Sequence, residues 1–161
     1  MINLSEWLRA DPGSIKPDSV IAQECQTHFS QGGEDIAIDL LLSPEATKGI
    51  FVDIGAYHPI RFSNTFTSYL NGWRGINIDG NKEAIASFNA VRAEDTNIHA
   101  LVSDRVETIE FFKFPEGAWN TTNAEAAKIL NARGRAENTI VAVETMQTIH
   151  VMNILDQVRR G

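Results

Sequence analysis

Apolar and polar positions along this chain follow two rhythms, one helical and one strand-like, and they alternate. Asn3 to Ala10 has helical spacing with Ser5 as a cap, and Asp11-Pro12-Gly13-Ser14 stops it. A second helical piece follows Pro17 and leads to Ser30, where Ser30-Gln31-Gly32-Gly33-Glu34-Asp35 forms a turn. Ile36 to Leu42 spaces its apolar residues as a helix packed on a sheet, and Ser43-Pro44-Glu45 ends it. Residues 49–54 are nearly all apolar, as in a parallel strand covered on both faces. Ser63-Asn64-Thr65 offers an N-cap for a helix over 65–71, and Asn71-Gly72-Trp73-Arg74-Gly75 leads into a second strand ending in Asp79-Gly80-Asn81. Lys82 to Val91 is a helix with Ile85 and Phe88 on one side, and a third strand over 98–102 ends in Ser103-Asp104.

Beyond that point the pattern changes. Thr108 to Phe114 reads as a strand antiparallel to the third across the Ser103 to Glu107 turn. Asn123 to Ala132 is a helix closed by Gly134, Thr139 to Glu144 a short strand, and Thr148 to Val158 a last helix. Strands alternating with helices predict an α/β fold, with a helical segment over 1–29 ahead of a domain over 30–161.

Composition changes this picture little. At 161 residues, with 43% hydrophobic and 22% charged, the chain has the make-up of one globular domain. Its 14 basic residues are scattered against 21 acidic ones, for a net charge of −7, which argues against a nucleic-acid footprint. No apolar run is long enough to span a membrane, and the first ten residues lack the order of a signal peptide. A single cysteine, Cys25, forms no intrachain disulfide, so a cytoplasmic setting is expected.

The candidate chemistry sits at the strand ends. The first strand closes with Asp53-Ile54-Gly55-Ala56 and the second with Asp79. A glycine turn, followed about 20 residues later by an acid on the next strand tip, is how α/β folds hold a nucleoside. The backbone approaches the ligand where no Cβ intervenes, and the acid accepts hydrogen bonds from the ribose hydroxyls. The plain alternatives are an ordinary β–α turn and an N-cap for the helix at Lys82. His58, in the loop after the first strand, is the candidate base for deprotonating an alcohol, with loop packing before Pro59 as its alternative. The other histidines (His28, His99, His150) and Cys25 show no metal-ligand spacing, so no metal is expected. Trp7, Trp73 and the Phe111, Phe112, Phe114 cluster read as core.

Five segments occur together in order: Ser30 to Asp35, Phe51-Val52-Asp53-Ile54-Gly55-Ala56, Ser63-Asn64-Thr65, Gly72 to Asp79, and Ala100-Leu101-Val102-Ser103-Asp104. Trp119-Asn120-Thr121-Thr122 extends them. In this combination the chain resembles the FkbM-type methyltransferases, which use S-adenosylmethionine to methylate hydroxyl groups on sugars and other small molecules. The resemblance implies a Rossmann-like class I methyltransferase sheet with helices on both faces and strand one at its centre. It implies S-adenosylmethionine as cofactor and a small-molecule or saccharide hydroxyl as acceptor. The Asp53 to Ala56 turn would face the methionine end of the cofactor. Asp79 would hold the ribose, with Gly80 and Asn81 shaping the pocket. Ser103 and Asp104 would meet the adenine, and Gln31 would contact the cofactor from a lid.

The family's fourth strand would follow Val158, where this sequence reads Arg159-Arg160-Gly161. The fold expected is therefore partial: strands one to three plus a small extension, with the C-terminal strands missing. Strand one would carry an unpaired edge, to be covered by a partner chain or a second copy. Two alternatives stand beside the enzyme. One is a non-catalytic module that keeps nucleoside affinity and works with a partner. The other is a nicotinamide-dinucleotide binder, against which the first turn lacks the further glycines that a pyrophosphate needs.

Overall fold

A computed structural model describes residues 28–42 and 48–160, the last four of these by backbone alone. The helix at 3–10, nearly all of the piece from Pro17 to Ser30, and Trp7 lie outside the described residues. Within them the order is α1 (Glu34–Leu41), β1 (Ile50–Ile54), α2 (Phe66–Leu70), β2 (Arg74–Asp79), α3 (Lys82–Val91), β3 (Thr96–His99), β4 (Leu101–Ser103), β5 (Thr108–Lys113), α4 (Ala124–Asn131), β6 (Ala142–His150) and α5 (Val151–Arg160). Short 3-10 turns at Gly117–Trp119 and Ala136–Asn138 flank α4. Among the described residues, no helix is long and apolar enough to cross a membrane.

The chain is an α/β protein with two small sheets. β1, β2 and β3 run parallel in that order, with Val52 opposite Ile76 and Asp53 opposite Asn77. Side chains alternate across this sheet, and the two faces differ. Ile76, Ile78 and Ala100 pack against Ile154 of α5, with Val52 and Ile98 at the margin, so this face is apolar. The opposite face carries Phe51, Asp53, Asn77 and Asn97 and is covered by α3, whose Asn89 accepts a hydrogen bond from Asn97 Nδ2 at 3.0 Å. Helices therefore cover both faces. Asn81 caps α3 through its side-chain oxygen, which accepts from Glu83 N, and Asn123 caps α4 in the same way. Phe111 and Phe114 are buried, as read from the sequence.

Three expectations need correction. The third strand breaks at Ala100, after which β4 leaves β2 and pairs in parallel with β6. β2 ends where Asp79 Oδ1 accepts Asn81 N at 2.7 Å, so the residues beyond Ala100 take another partner. β5 is antiparallel to β6 rather than to the third strand, because β6 lies between β4 and β5. β6 itself runs nine residues, from Ala142 to His150, through the expected start of the last helix. Thr148 holds it extended: its hydroxyl accepts Glu107 N at 2.9 Å and donates to Arg105 O at 2.8 Å. The helix begins only after His150, whose Nδ1 accepts Met152 N.

β1 is the edge of its sheet among the described residues, and its Ile50 and Ile54 are 60% and 52% exposed.

Candidate nucleoside site at the strand ends

A cleft of about 220 Å³ opens at the carboxyl ends of the parallel strands. That is the position at which open α/β sheets take ligands. Ile54, Ile78, Ala100 and Val102 give it an apolar floor, and Leu101 and Phe111 a side wall. A Cβ on Gly80 would stand 2.4 Å from Leu101 Cδ2 and 3.1 Å from Phe111 Cζ, so a side chain there would have to push this wall aside. Tyr57, Asp79, Gly117, Ala118 and Asn120 complete its border, with Gly117 close to the Tyr57 ring.

Asp79 is set by the backbone. Its Oδ2 accepts Tyr57 N at 2.9 Å and its Oδ1 accepts Asn81 N at 2.7 Å. A carboxylate oxygen has two lone pairs, so each retains acceptor capacity for a ligand hydroxyl. The amide groups of Asn81 and Asn120 use only their oxygens within the protein, on Glu83 N and Phe114 N. Both Nδ2 groups lie near Gly117 at the cleft margin and make no hydrogen bond among the described residues.

Asp53 does not reach the cleft. It shares a sheet face with Asp79, but its Oδ2 accepts the Thr65 hydroxyl at 2.9 Å. Thr65 Oγ1 in turn accepts Arg92 Nη1 at 3.1 Å. Arg92 is fully buried; its Nε donates to Asp95 Oδ2 at 2.9 Å, and its guanidinium faces the rings of Phe51, Tyr69 and Phe88. Asp95 also accepts Gly75 N and Asn77 Nδ2. Burial raises the Asp53 pKa above the ordinary range, against the pull of Thr65 and Arg92.

The turn after β1 also differs from the expectation. Gly55 lines the cleft as expected, but its N and Ala56 N both donate to Ile78 O, at 2.8 and 3.1 Å, so neither N–H is free to meet a ligand. Gly55 is needed for its left-handed backbone (φ 76°), and a Cβ on it would meet open space. Ala56 is buried beneath the turn.

The remaining expected residues lie elsewhere. Gln31 is exposed and outside the cleft lining. Its turn is organised by Ser30 Oγ, which donates to Asp35 Oδ1 at 2.5 Å, while Thr67 of α2 donates to Asp35 Oδ2. Ser103 and Asp104 point into their own turn: Ser103 Oγ donates to Asp104 Oδ1 at 3.2 Å, and the Asp104 side chain is 85% exposed beside Arg105. His58 Nδ1 accepts Ile60 N and Arg61 N, which commits that nitrogen as an acceptor. Burial and the nearby Arg61 charge hold its pKa below the usual histidine value. A neutral ring with Nδ1 so engaged carries its proton on Nε2, so His58 is poorly placed as a base.

Tyr57, Arg61, Glu116 and Asn120 were not read as site residues from the sequence. Asn120 lay in a segment already singled out, and Tyr57 directly follows the glycine turn. Arg61 and Glu116 gave no signal. Burial and the adjacent Glu116 push the Tyr57 phenol up to about 12, so it is a proton donor at neutral pH.

No family model matches the chain, and neither a curated protein nor a solved structure is significantly similar to it.

Proposed function

We propose that this chain binds S-adenosylmethionine at the β2 tip and acts, as the FkbM-type enzymes it resembles do, in methylating a hydroxyl on a sugar or other small molecule. The observation that carries this reading is Asp79, braced by two backbone N–H groups at the mouth of an apolar cleft. A ribose diol suits the free acceptor capacity of that carboxylate, and a heterocycle suits the apolar floor. Asn81 and Asn120 supply amide donors at the margin. Bound there, the sulfonium cofactor would bring an already activated methyl group. The work left to the protein is to align the acceptor with it and to exclude water.

Titration of the protein with S-adenosylhomocysteine in a calorimeter tests the reading. One-to-one binding, competed by adenosine and not by a nicotinamide dinucleotide, is the expected result. No binding heat at any accessible temperature rejects it.

The open edge of β1, with Ile50 and Ile54 exposed, favours a second form of the same reading. In that form the chain binds the nucleoside and turns over only when another chain covers the edge. Methylated product from this chain alone, over a panel of hydroxyl acceptors, would reject it.

A further inference from the structure

Part of the cleft lining comes from the loop after β5, more than fifty residues along the chain from the β1 turn, and one side-chain cluster joins the two. The Tyr57 phenol donates to Glu116 Oε1 at 2.5 Å. Arg61 Nη1 donates to the phenol oxygen at 2.9 Å, and Arg61 Nη2 reaches Glu116 Oε2, also at 2.9 Å. The guanidinium lies 4.5 Å from the centre of the Phe62 ring, which stacks on Tyr57 at 6.1 Å. Each of the three polar groups thus bonds both of the others.

An exposed ion pair alone contributes little, and the Arg61 side chain is 53% exposed. Two features make this cluster more than a surface pair. The phenol closes the circuit with a charge-assisted hydrogen bond, which is stronger than a neutral one. Tyr57 itself has a φ of 57°, a left-handed conformation that a bulky residue keeps only when its surroundings hold it. It is held at both ends, by its amide on Asp79 Oδ2 and by its phenol on Glu116.

We propose that Tyr57 is a positioning residue of this cleft, coupling Asp79 to the 116–120 wall through the Arg61–Glu116 strap. The inference rests on reading the cleft as a nucleoside site. With the strap intact, the acid and that wall are set before a ligand arrives. With it cut, the wall moves independently, and a bound nucleoside escapes faster while its entry rate changes little.

Two measurements on the same variants test this: hydrogen exchange of the 116–121 amides in the free protein, and stopped-flow release of S-adenosylhomocysteine. Tyr57→Phe removes the phenol with minimal change of shape, Glu116→Arg sets two cations together, and Arg61→Glu with Glu116→Arg restores the pair in reverse. Losing a hydrogen bond to a charged group corresponds to about a tenfold change. Exchange and koff should both rise by about that factor in the two single variants and fall back in the charge-reversed double. Unchanged exchange in Tyr57→Phe and Glu116→Arg overturns the strap whatever the ligand. Faster exchange with unchanged koff overturns the positioning role. Faster exchange in a protein whose wild type binds no S-adenosylhomocysteine upholds the strap and overturns the nucleoside reading instead.

Discussion

Asp53 and Asp79 stand at the ends of neighbouring parallel strands, on one face of the same sheet, and the tips of β1 and β2 use them differently. At the β2 tip, backbone N–H groups hold Asp79 at the border of a cleft, with acceptor capacity to spare. At the β1 tip, Asp53 turns to Thr65 and through it to the buried Arg92, well inside the protein. The difference follows from what each strand faces. Beside β1, the segment leading into α2 brings the Thr65 hydroxyl within reach. Past β2 the chain turns at once into α3, and the donors that bind Asp79 among the described residues are main-chain N–H groups. One tip is tied into the interior and the other keeps acceptor capacity at a cleft, the difference on which the proposed binding role rests, although the sequence around them looks alike.

The largest effect should come from the interior. Arg92→Leu would strand Asp95, which then keeps only Gly75 N and Asn77 Nδ2 as partners. Breaking a buried ion pair from one side costs roughly 3–5 kcal/mol, and urea unfolding should show a loss of that order. A loss under about 1 kcal/mol, the scale of a surface pair, would place the network at the periphery and erase the contrast between the tips.

A smaller effect, and one with a definite sign, concerns Asp53. Its folded pKa is raised, chiefly by burial, so the favourable contribution of its protonated form is complete below the ordinary aspartate pKa. That contribution is lost as pH rises through the folded pKa. Asp53→Asn keeps an oxygen for the Thr65 hydroxyl and removes the titration. At neutral pH the variant should be at least as stable as the wild type, with the wild type gaining on it as the pH falls. Glu116 runs the other way. Its pKa is lowered, mainly by the Tyr57 hydrogen bond and in part by Arg61, so its contribution is present above the ordinary glutamate value and is lost on acidification. Denaturation midpoints of wild type and Asp53→Asn across pH check the sign. A variant much weaker than wild type at neutral pH would make the ionised Asp53 a stabilising partner of Arg92.

Much of the fold was legible in the sequence because its signals are local. The apolar run of β1, the strand before Asp79 and the helix from Lys82 fall within a residue or two of their expected bounds. β6 was misread because its extent depends on two partner strands that no local pattern reveals. Its Thr148 looked like a helix start until its hydroxyl had Arg105 and Glu107 to bind. The site divides in the same way. Gly55, Asp79 and Gly80 were legible from strand-tip chemistry, although Gly55 proves to serve a backbone turn. Tyr57 and Glu116 lie 59 residues apart in sequence and meet only in the folded chain. The Arg92–Asp95 pair was not read from the sequence: arginine is mostly exposed in proteins, and nothing nearby announced that this one is fully buried.

The most direct test sets the two tips against each other: calorimetric titration of S-adenosylhomocysteine into wild type, Asp79→Asn and Asp53→Asn. We expect binding by the wild type, a loss of about tenfold or more in Asp79→Asn, as fits a charged hydrogen-bonding partner, and near-wild-type affinity in Asp53→Asn. Equal affinities in all three proteins, or a greater loss from Asp53→Asn than from Asp79→Asn, would contradict the assignment of binding to the β2 tip.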